Sequence, residues 1–466
     1  MAALLAVATA AVPIGASARL EPPAASPDPI YRLRITVTTS APEVHVRLAR
    51  PALLILAEVR RARGNAEWGW FGRGPLRVRE KPEASGARAT FVAAVTPAGD
   101  ERLRLVARQR GLGVTRVAVA NANRSPARLL DAVILVGPSH RRASIPVRAV
   151  AARGPVRGTE PLPPTVLAFY YPWYQPSDWS GGKPIADDNL IGEPYDSTDP
   201  ATIDRHVAQA RAAGLDGFVV SWWGRDAAYE PAVLALADRL PTDLRFALYI
   251  ELFSDAFRTE ADLVRELDHA LDTYAGSPRY LRIGGRPVLY AFSTHNVLMP
   301  HGSGHHPDHE GVWRRVREAL AAEGHDPLFI GEGRPFATSD FGVFDGMHVY
   351  GTQDPTRTAA LNRKMALTAR AWAAVHGGPR RIWAASVLPG YDDRHIPRRR
   401  PDHFPREDGR LYEDQWTAAI DSHADQVLVV SFNEWMETTN IEPNLAWGTR
   451  YLELTAELAE RYLTSR

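Results

Sequence analysis

Val427-Leu428-Val429-Val430-Ser431-Phe432-Asn433-Glu434-Trp435-Met436-Glu437-Thr438-Thr439-Asn440-Ile441-Glu442-Pro443 runs from an unbroken apolar stretch into two carboxylates three residues apart. The apolar run reads as a buried strand, and a strand that stops at Glu434 and Glu437 delivers acid and base groups to the rim of a pocket. An isolated Glu-x-x-Glu is more often a solvated pair on the first turn of a helix, where the dipole favours acidic residues. Here the pair follows a strand and sits among Asn and Trp rather than Lys and Arg, which favours a site.

Upstream of this segment the same grammar recurs. Strands are expected at Val166–Tyr171, Gly217–Ser221, Phe246–Ile250, Pro287–Phe292, Leu328–Ile330, Gly346–Val349, Arg381–Val387 and Gln426–Phe432. Amphipathic helices alternate with them, among them Ala201–Ala213, Glu260–Tyr274, Val312–Glu323 and Leu361–Val375. The first of these opens with Asp199-Pro200 as cap and first position and closes at Gly214. Eight strand–helix pairs over residues 165–466 predict an α/β fold, a (β/α)8 TIM barrel. No Gly-rich nucleotide fingerprint follows any strand, which disfavours a doubly wound sheet.

Residues 29–150 read differently. Short β-branched or alternating runs such as Tyr31–Thr38, Ala89–Val95, Arg102–Ala107, Val117–Val119 and Leu129–Val136 are separated by Gly, Pro, Asn and Ser. They predict a small all-β sandwich preceding the barrel. Its exposed-aromatic supply is thin, with Trp68-Gly69-Trp70-Phe71 the notable cluster, so a packing or spacer role is preferred over carbohydrate binding. Residues 151–164, rich in Pro and Gly, form the expected linker.

The 466 residues suit two domains, and their 55 basic and 54 acidic side chains give no charge bias toward nucleic acid or a membrane surface. Zero cysteines exclude disulfides, thiolate metal sites and cysteine nucleophiles. Residues 1–18 combine an apolar stretch with Ala16-Ser17-Ala18, a pattern a signal peptidase could cut, although no Lys or Arg precedes it. Export to the periplasm, the cell surface or the medium is therefore expected, with no stable membrane insertion.

In a barrel the groups after each strand converge on one face. The candidate substrate-binding residues collected there are Tyr171, Trp173, Tyr174, Trp222, Trp223, Glu251, Tyr290, His295, His348, Tyr350, Asn433, Trp435 and Glu442, with Glu434 and Glu437 as candidate catalytic residues. Aromatics with carboxylates suit a glycan, whose C–H faces stack on rings while its hydroxyls bond carboxylates and amides. Glycoside cleavage needs one carboxyl protonated and another ionised, and two carboxylates in a partly dry pocket raise each other's pKa. His301, His305, His306 and His309 lie in a segment with Gly and Pro and read as a polar loop, since no regular metal-ligand spacing is evident. The basic run Arg394–Arg400 reads as a solvated loop, and no G-x-S-x-G element marks a serine hydrolase.

Phe169–Tyr174, His206–Trp223, Tyr249-Ile250-Glu251, Pro287–Tyr290, Asp345-Gly346 and above all Ser431–Pro443 together resemble glycoside hydrolase family 99, the endo-α-1,2-mannosidase and mannanase family. The resemblance covers about Val166 to the C-terminus. It implies a retaining α-glycosidase in which the substrate's own 2-hydroxyl attacks the anomeric carbon. Glu434 would be the base and Glu437 the acid, Glu251 would lie near the reacting sugar, and no metal or organic cofactor is implied. Where the family segment usually reads Asn-Glu-Trp-His-Glu-Gly-Thr-Gln-Ile-Glu-Pro, this chain carries Met436, Thr438 and Asn440, and His348 stands where an aromatic hydroxyl is common. A non-catalytic glycan-binding or polysaccharide-assembly protein on the same barrel is the alternative. The expected partner in either case is an oligosaccharide or polysaccharide; the oligomeric state is left open.

Overall fold

The computed structural model describes residues 28–49, 52–63, 67–69, 76–79, 87–97, 102–186, 194–300, 304–335, 337–351, 354–397 and 401–465. The expected leader at residues 1–18, and Trp70, Phe71, His301 and Arg398–Arg400, lie outside them.

Eight parallel strands form the C-terminal barrel: β1 (Thr165–Tyr170), β2 (Gly217–Trp222), β3 (Arg245–Glu251), β4 (Arg286–Phe292), β5 (Leu328–Glu332), β6 (Gly346–His348), β7 (Ile382–Val387) and β8 (Gln426–Val429). Each pairs with its sequence neighbours, β8 pairs with β1, and the sheet closes. The helices are α1 (Pro200–Ala212), α2 (Glu230–Arg239), α3 (Glu260–Tyr274), α4 (His309–Ala322), α5 (Pro355–His376), α6 (Arg410–Ser422) and α7 (Arg450–Thr464). The expected eighth strand–helix pair is corrected: among the described residues the β5–β6 connection carries only a 3-10 turn at Ser339–Gly342, packed by buried Phe341 and Phe344. The sequence also started α5 late, because Asp354 caps it by accepting from the Thr356 and Arg357 N–H groups and Pro355 takes the first position. No helix among the described residues is long and apolar enough to cross a membrane.

Strand parity sorts side chains into two layers. On β1, Val166, Ala168 and Tyr170 pack outward against the helices, while Leu167, Phe169 and the following Tyr171 face the barrel interior. On β2, Phe218, Val220 and Trp222 face outward. On β8, Val427 and Val429 face outward, while Leu428 and the following Val430 face inward. Inward residues stack in layers along the barrel axis, so the last inward residue of each strand sets the cleft floor.

The N-terminal region is two five-stranded antiparallel sheets. One runs in the order Ala52–Arg63, Ala87–Pro97, Tyr31–Thr39, Val114–Asn121, Arg128–Val136; the other Ser139–Pro146, Arg102–Arg110, Glu43–Ala49, Leu76–Arg79, Glu67–Gly69. Leu33, Ile35 and Val117 of the first share a core with Val44, Leu105 and Ile145 of the second, which makes a sandwich.

The sandwich rests on α5. Ile30 and Ala94 pack against Ala371 and Val375, and the buried Arg370 guanidinium donates to the Asp28 carbonyl at 2.9 Å and the Thr159 carbonyl at 2.7 Å. The segment at 151–164 is thereby pinned rather than loose. Arg370→Ala leaves both carbonyls without these donors, so it is expected to weaken domain docking by about 2 kcal/mol. Limited proteolysis checks this: cleavage within 152–164 should become faster in the variant.

Candidate active site

The segment after β8 is a folded loop, not the first turn of a helix. The Ser431 hydroxyl accepts from the Glu434 N–H at 2.7 Å, the Ser431 N–H donates to the Thr439 carbonyl, and Ile441 donates back to the Ser431 carbonyl. Asn433 locks this loop to the end of β1, its Oδ1 accepting from the Tyr171 N–H at 2.7 Å and its Nδ2 donating to the Tyr171 carbonyl at 3.0 Å. Beneath the loop the buried Arg406 guanidinium, 4.1 Å from Trp447 and 4.2 Å from Tyr451, donates to the Thr438 and Asn440 carbonyls.

These contacts present Glu434 and Glu437 to a cavity of about 170 Å³ lined also by Tyr171, Trp173, Trp223, Tyr249, Glu251, Phe292, Tyr350 and Met436. A wider cavity of about 450 Å³ adjoins it, with Trp173, Trp223 and Met436 as common walls and Lys183, Gln175, Asp178 and Tyr229 beyond. The cleft therefore accommodates more than one sugar ring. Burial, then repulsion from Glu437, holds the Glu434 carboxyl well above the usual carboxylate range. Its Oε1 accepts from the Met436 N–H at 3.0 Å, with the Tyr174 hydroxyl at 3.5 Å. Glu437 accepts from the Tyr391 hydroxyl at 3.1 Å, with that of Tyr350 at 3.5 Å. Glu251 accepts from the Ser221 hydroxyl at 2.8 Å, and burial pushes its pKa up to about 8.

Of the residues selected from sequence, Tyr171, Trp173, Trp223, Glu251, Tyr350, Glu434 and Glu437 line this cavity. Tyr174 and Asn433 stand behind it, supporting the loop. The others do not line it, for reasons of parity and depth. Trp222 points outward into the helix layer, where its indole N–H donates to Glu230 at 2.8 Å. Tyr290 points inward but one layer too deep, donating to Gln426 at 2.8 Å. His348 lies in the same deep layer, ringed by Phe169, Tyr249 and Tyr290, and burial depresses its pKa to about 3, so the ring is neutral. His295 lies beyond β4 in the turn Thr294–Asn296, against His305. Trp435 is fully buried against Trp179, with its indole N–H on Glu442, so it offers no face to a sugar.

Glu442 is a structural acceptor. It receives His206 Nε2 at 2.9 Å, the Tyr195 hydroxyl at 3.0 Å and the Trp435 indole at 3.1 Å, all buried. Glu442→Ala strands three donors and is expected to cost about 3 kcal/mol, read as a lower denaturant midpoint at unchanged slope.

Tyr391 is the contact that sequence reading missed. It sits on the short Tyr391–Asp392 strand paired with His403–Phe404, and its hydroxyl lies 3.1 Å from both Glu437 and the buried Asp393. Thr438 ties this hairpin to the loop after β8 by donating its hydroxyl to the Asp392 carbonyl at 3.0 Å. Thr438 holds φ 55°, a left-handed conformation costly for a β-branched residue and free for glycine. The Gly-to-Thr departure thus accepts backbone strain at the position that anchors Tyr391 over Glu437.

Residues 189–465 match the family model for glycosyl hydrolase family 99. The glycoprotein endo-alpha-1,2-mannosidase of Rattus norvegicus is 24% identical over 384 residues, 66% of this chain and 77% of that protein. The glycoprotein endo-alpha-1,2-mannosidase-like protein of Homo sapiens is 25% identical, covering 59% of this chain and 64% of its own. The solved GH99 endo-alpha-mannosidase from Bacteroides thetaiotaomicron superposes with a TM-score of 0.51 at 24% identity, over 65% of this chain and 98% of that one, which places the two in one fold.

Proposed function

Because this chain belongs to glycosyl hydrolase family 99, we propose that it is a retaining hydrolase of α-mannosidic linkages in an oligo- or polysaccharide, with Glu434 and Glu437 as its reacting carboxyl groups. That it is a glycoside hydrolase follows from the family; the sugar and the residue roles are our reading. The observation that carries it is the pair Glu434 and Glu437 together in one aromatic-lined cleft at the C-terminal end of the barrel. The relatives named as endo-alpha-mannosidases direct the choice of mannose.

In the proposed first step Glu434 takes the proton of the substrate's 2-hydroxyl as that oxygen attacks the anomeric carbon. The bond to the leaving oxygen breaks, and Glu437 donates its proton to that oxygen. A 1,2-anhydro sugar results. In the second step Glu437 takes a proton from water, which attacks the anomeric carbon, and Glu434 returns its proton to the 2-oxygen. Two inversions give net retention. The base role requires the shared proton to sit on Glu437: that removes the repulsion at Glu434, whose desolvation then makes it a stronger base once ionised, while the Tyr391 and Tyr350 hydroxyls fix the Glu437 carboxyl in place. Trp173, Trp223 and Phe292 supply apolar surface for ring stacking. Export, if residues 1–18 act as a leader, would put the enzyme where extracellular glycans are found.

Incubation with α-1,2-, α-1,3- and α-1,6-linked mannans, with products read by mass spectrometry, tests the assignment. Oligosaccharides released from the α-1,2-linked polymer support it. Binding without release from any of them would instead support a glycan-binding role.

A further inference from the structure

We propose that His309, Glu310 and Asp340 form a binding site for a divalent transition-metal ion of the zinc class, on the barrel rim and outside the cleft described above. The three side chains come from separate parts of the chain: His309 and Glu310 from the first turn of α4, Asp340 from the 3-10 turn between β5 and β6. One ligand atom of each lies within 4.8 Å of the other two.

His309 Nε2 is 3.6 Å from Asp340 Oδ1. That is too long for a hydrogen bond. It is close to the ligand–ligand spacing of a tetrahedral zinc site, about 3.3 Å for bonds of 2.0–2.1 Å. His309 Nε2 is buried from solvent and accepts from no donor. Asp340 is 2% exposed, and its Oδ1 accepts from the Ser339 hydroxyl at 3.1 Å, so the carboxylate is held in place with an oxygen facing His309. A second buried imidazole nitrogen without a hydrogen-bond partner, Nδ1 of His295, belongs to the neighbouring turn, whose ring packs on His305 at 4.2 Å. One imidazole with two carboxylates is a donor set suited to zinc, with water left to complete the coordination.

The position gives such an ion a task. Among the described residues the β5–β6 connection carries no α-helix such as braces the other strand connections of the barrel, and a metal bridging Asp340 to α4 would clip this connection to its neighbour. A second cluster, Asp268, Asp272 and His325, is more exposed and already paired, His325 Nε2 lying 3.1 Å and 3.4 Å from the two carboxylates. It serves as the internal control.

The full chain, stripped with EDTA and exchanged into chelator-free buffer, is titrated with zinc chloride by calorimetry while thermal unfolding is followed in parallel. One equivalent bound, with a raised unfolding temperature, is expected. Affinity should fall at least tenfold in His309→Ala and in Asp340→Asn, and be unchanged in His325→Ala. Near-UV circular dichroism certifies each variant as native, with Glu310→Gln replacing any that is not. No uptake by the native wild-type chain would overturn the proposal. Uptake that survives both His309→Ala and Asp340→Asn would overturn it equally.

Discussion

Glu437→Gln and Glu434→Gln are each expected to lower kcat/KM on an α-mannan by about 10³-fold or more, with glycan binding and thermal stability retained. Glutamine keeps the shape and the hydrogen-bond acceptors at each position but can neither release nor take up the proton the reaction needs. The Tyr391 hydroxyl at Glu437 and the Met436 N–H at Glu434 both still find a carbonyl oxygen in the amide, so the loop should hold. The two variants separate by leaving group. An aryl mannoside whose phenol departs without protonation should recover the first step in Glu437→Gln, where the acid is dispensable, and not in Glu434→Gln, where the base is still required. Retention of activity within tenfold of wild type in either variant would remove that residue from the mechanism.

Glu251→Gln is expected to stabilise the fold at alkaline pH, by an amount that depends on pH in a defined direction. Burial holds the Glu251 carboxyl at about 8, against 4.5 for an ordinary glutamate. Between those values the folded chain keeps a proton that the unfolded chain has released, so wild-type stability falls as pH rises from about 4.5 through about 8. The difference amounts to about 4 kcal/mol at pH 8, an order-of-magnitude figure from ~1.4 kcal/mol per pKa unit. Glutamine never ionises and escapes this loss. Melting temperatures of the two proteins should converge below pH 4.5 and separate progressively above it, with the variant higher. Parallel curves would mean that Glu251 is ionised in the folded protein. The same protonation gives Glu251 a donor to offer a sugar hydroxyl near neutral pH, so stability is surrendered here for a polar group in a dry cleft.

The barrel was legible because its signals are local: aliphatic runs of strand length, and helices with a cap at one end and glycine at the other, as from Asp199 to Gly214. The placement of Glu434 and Glu437 in the cleft was legible because they follow such a run directly. Sequence proximity to a strand end does not settle which aromatic reaches the cleft. Trp222 and Trp223 are adjacent, yet the period of two sends the first to Glu230 and the second to the cavity. Tyr290 and His348 have inward parity but lie one layer down, and only a register between strands reveals that depth. Tyr391 was beyond reach for a different reason. Its hairpin shows no periodicity, and its meeting with Glu437 is a contact across 46 residues made through Thr438 and the fold of the loop.

Time-resolved proton NMR of the anomeric signals released from an α-1,2-linked mannan by the wild-type enzyme distinguishes retention from inversion. The two inversions through a 1,2-anhydro sugar require the α-anomer to appear first, with the β-anomer following only by mutarotation. First appearance of the β-anomer would contradict the account, because a single displacement by water would then have replaced the route assigned to Glu434 and Glu437.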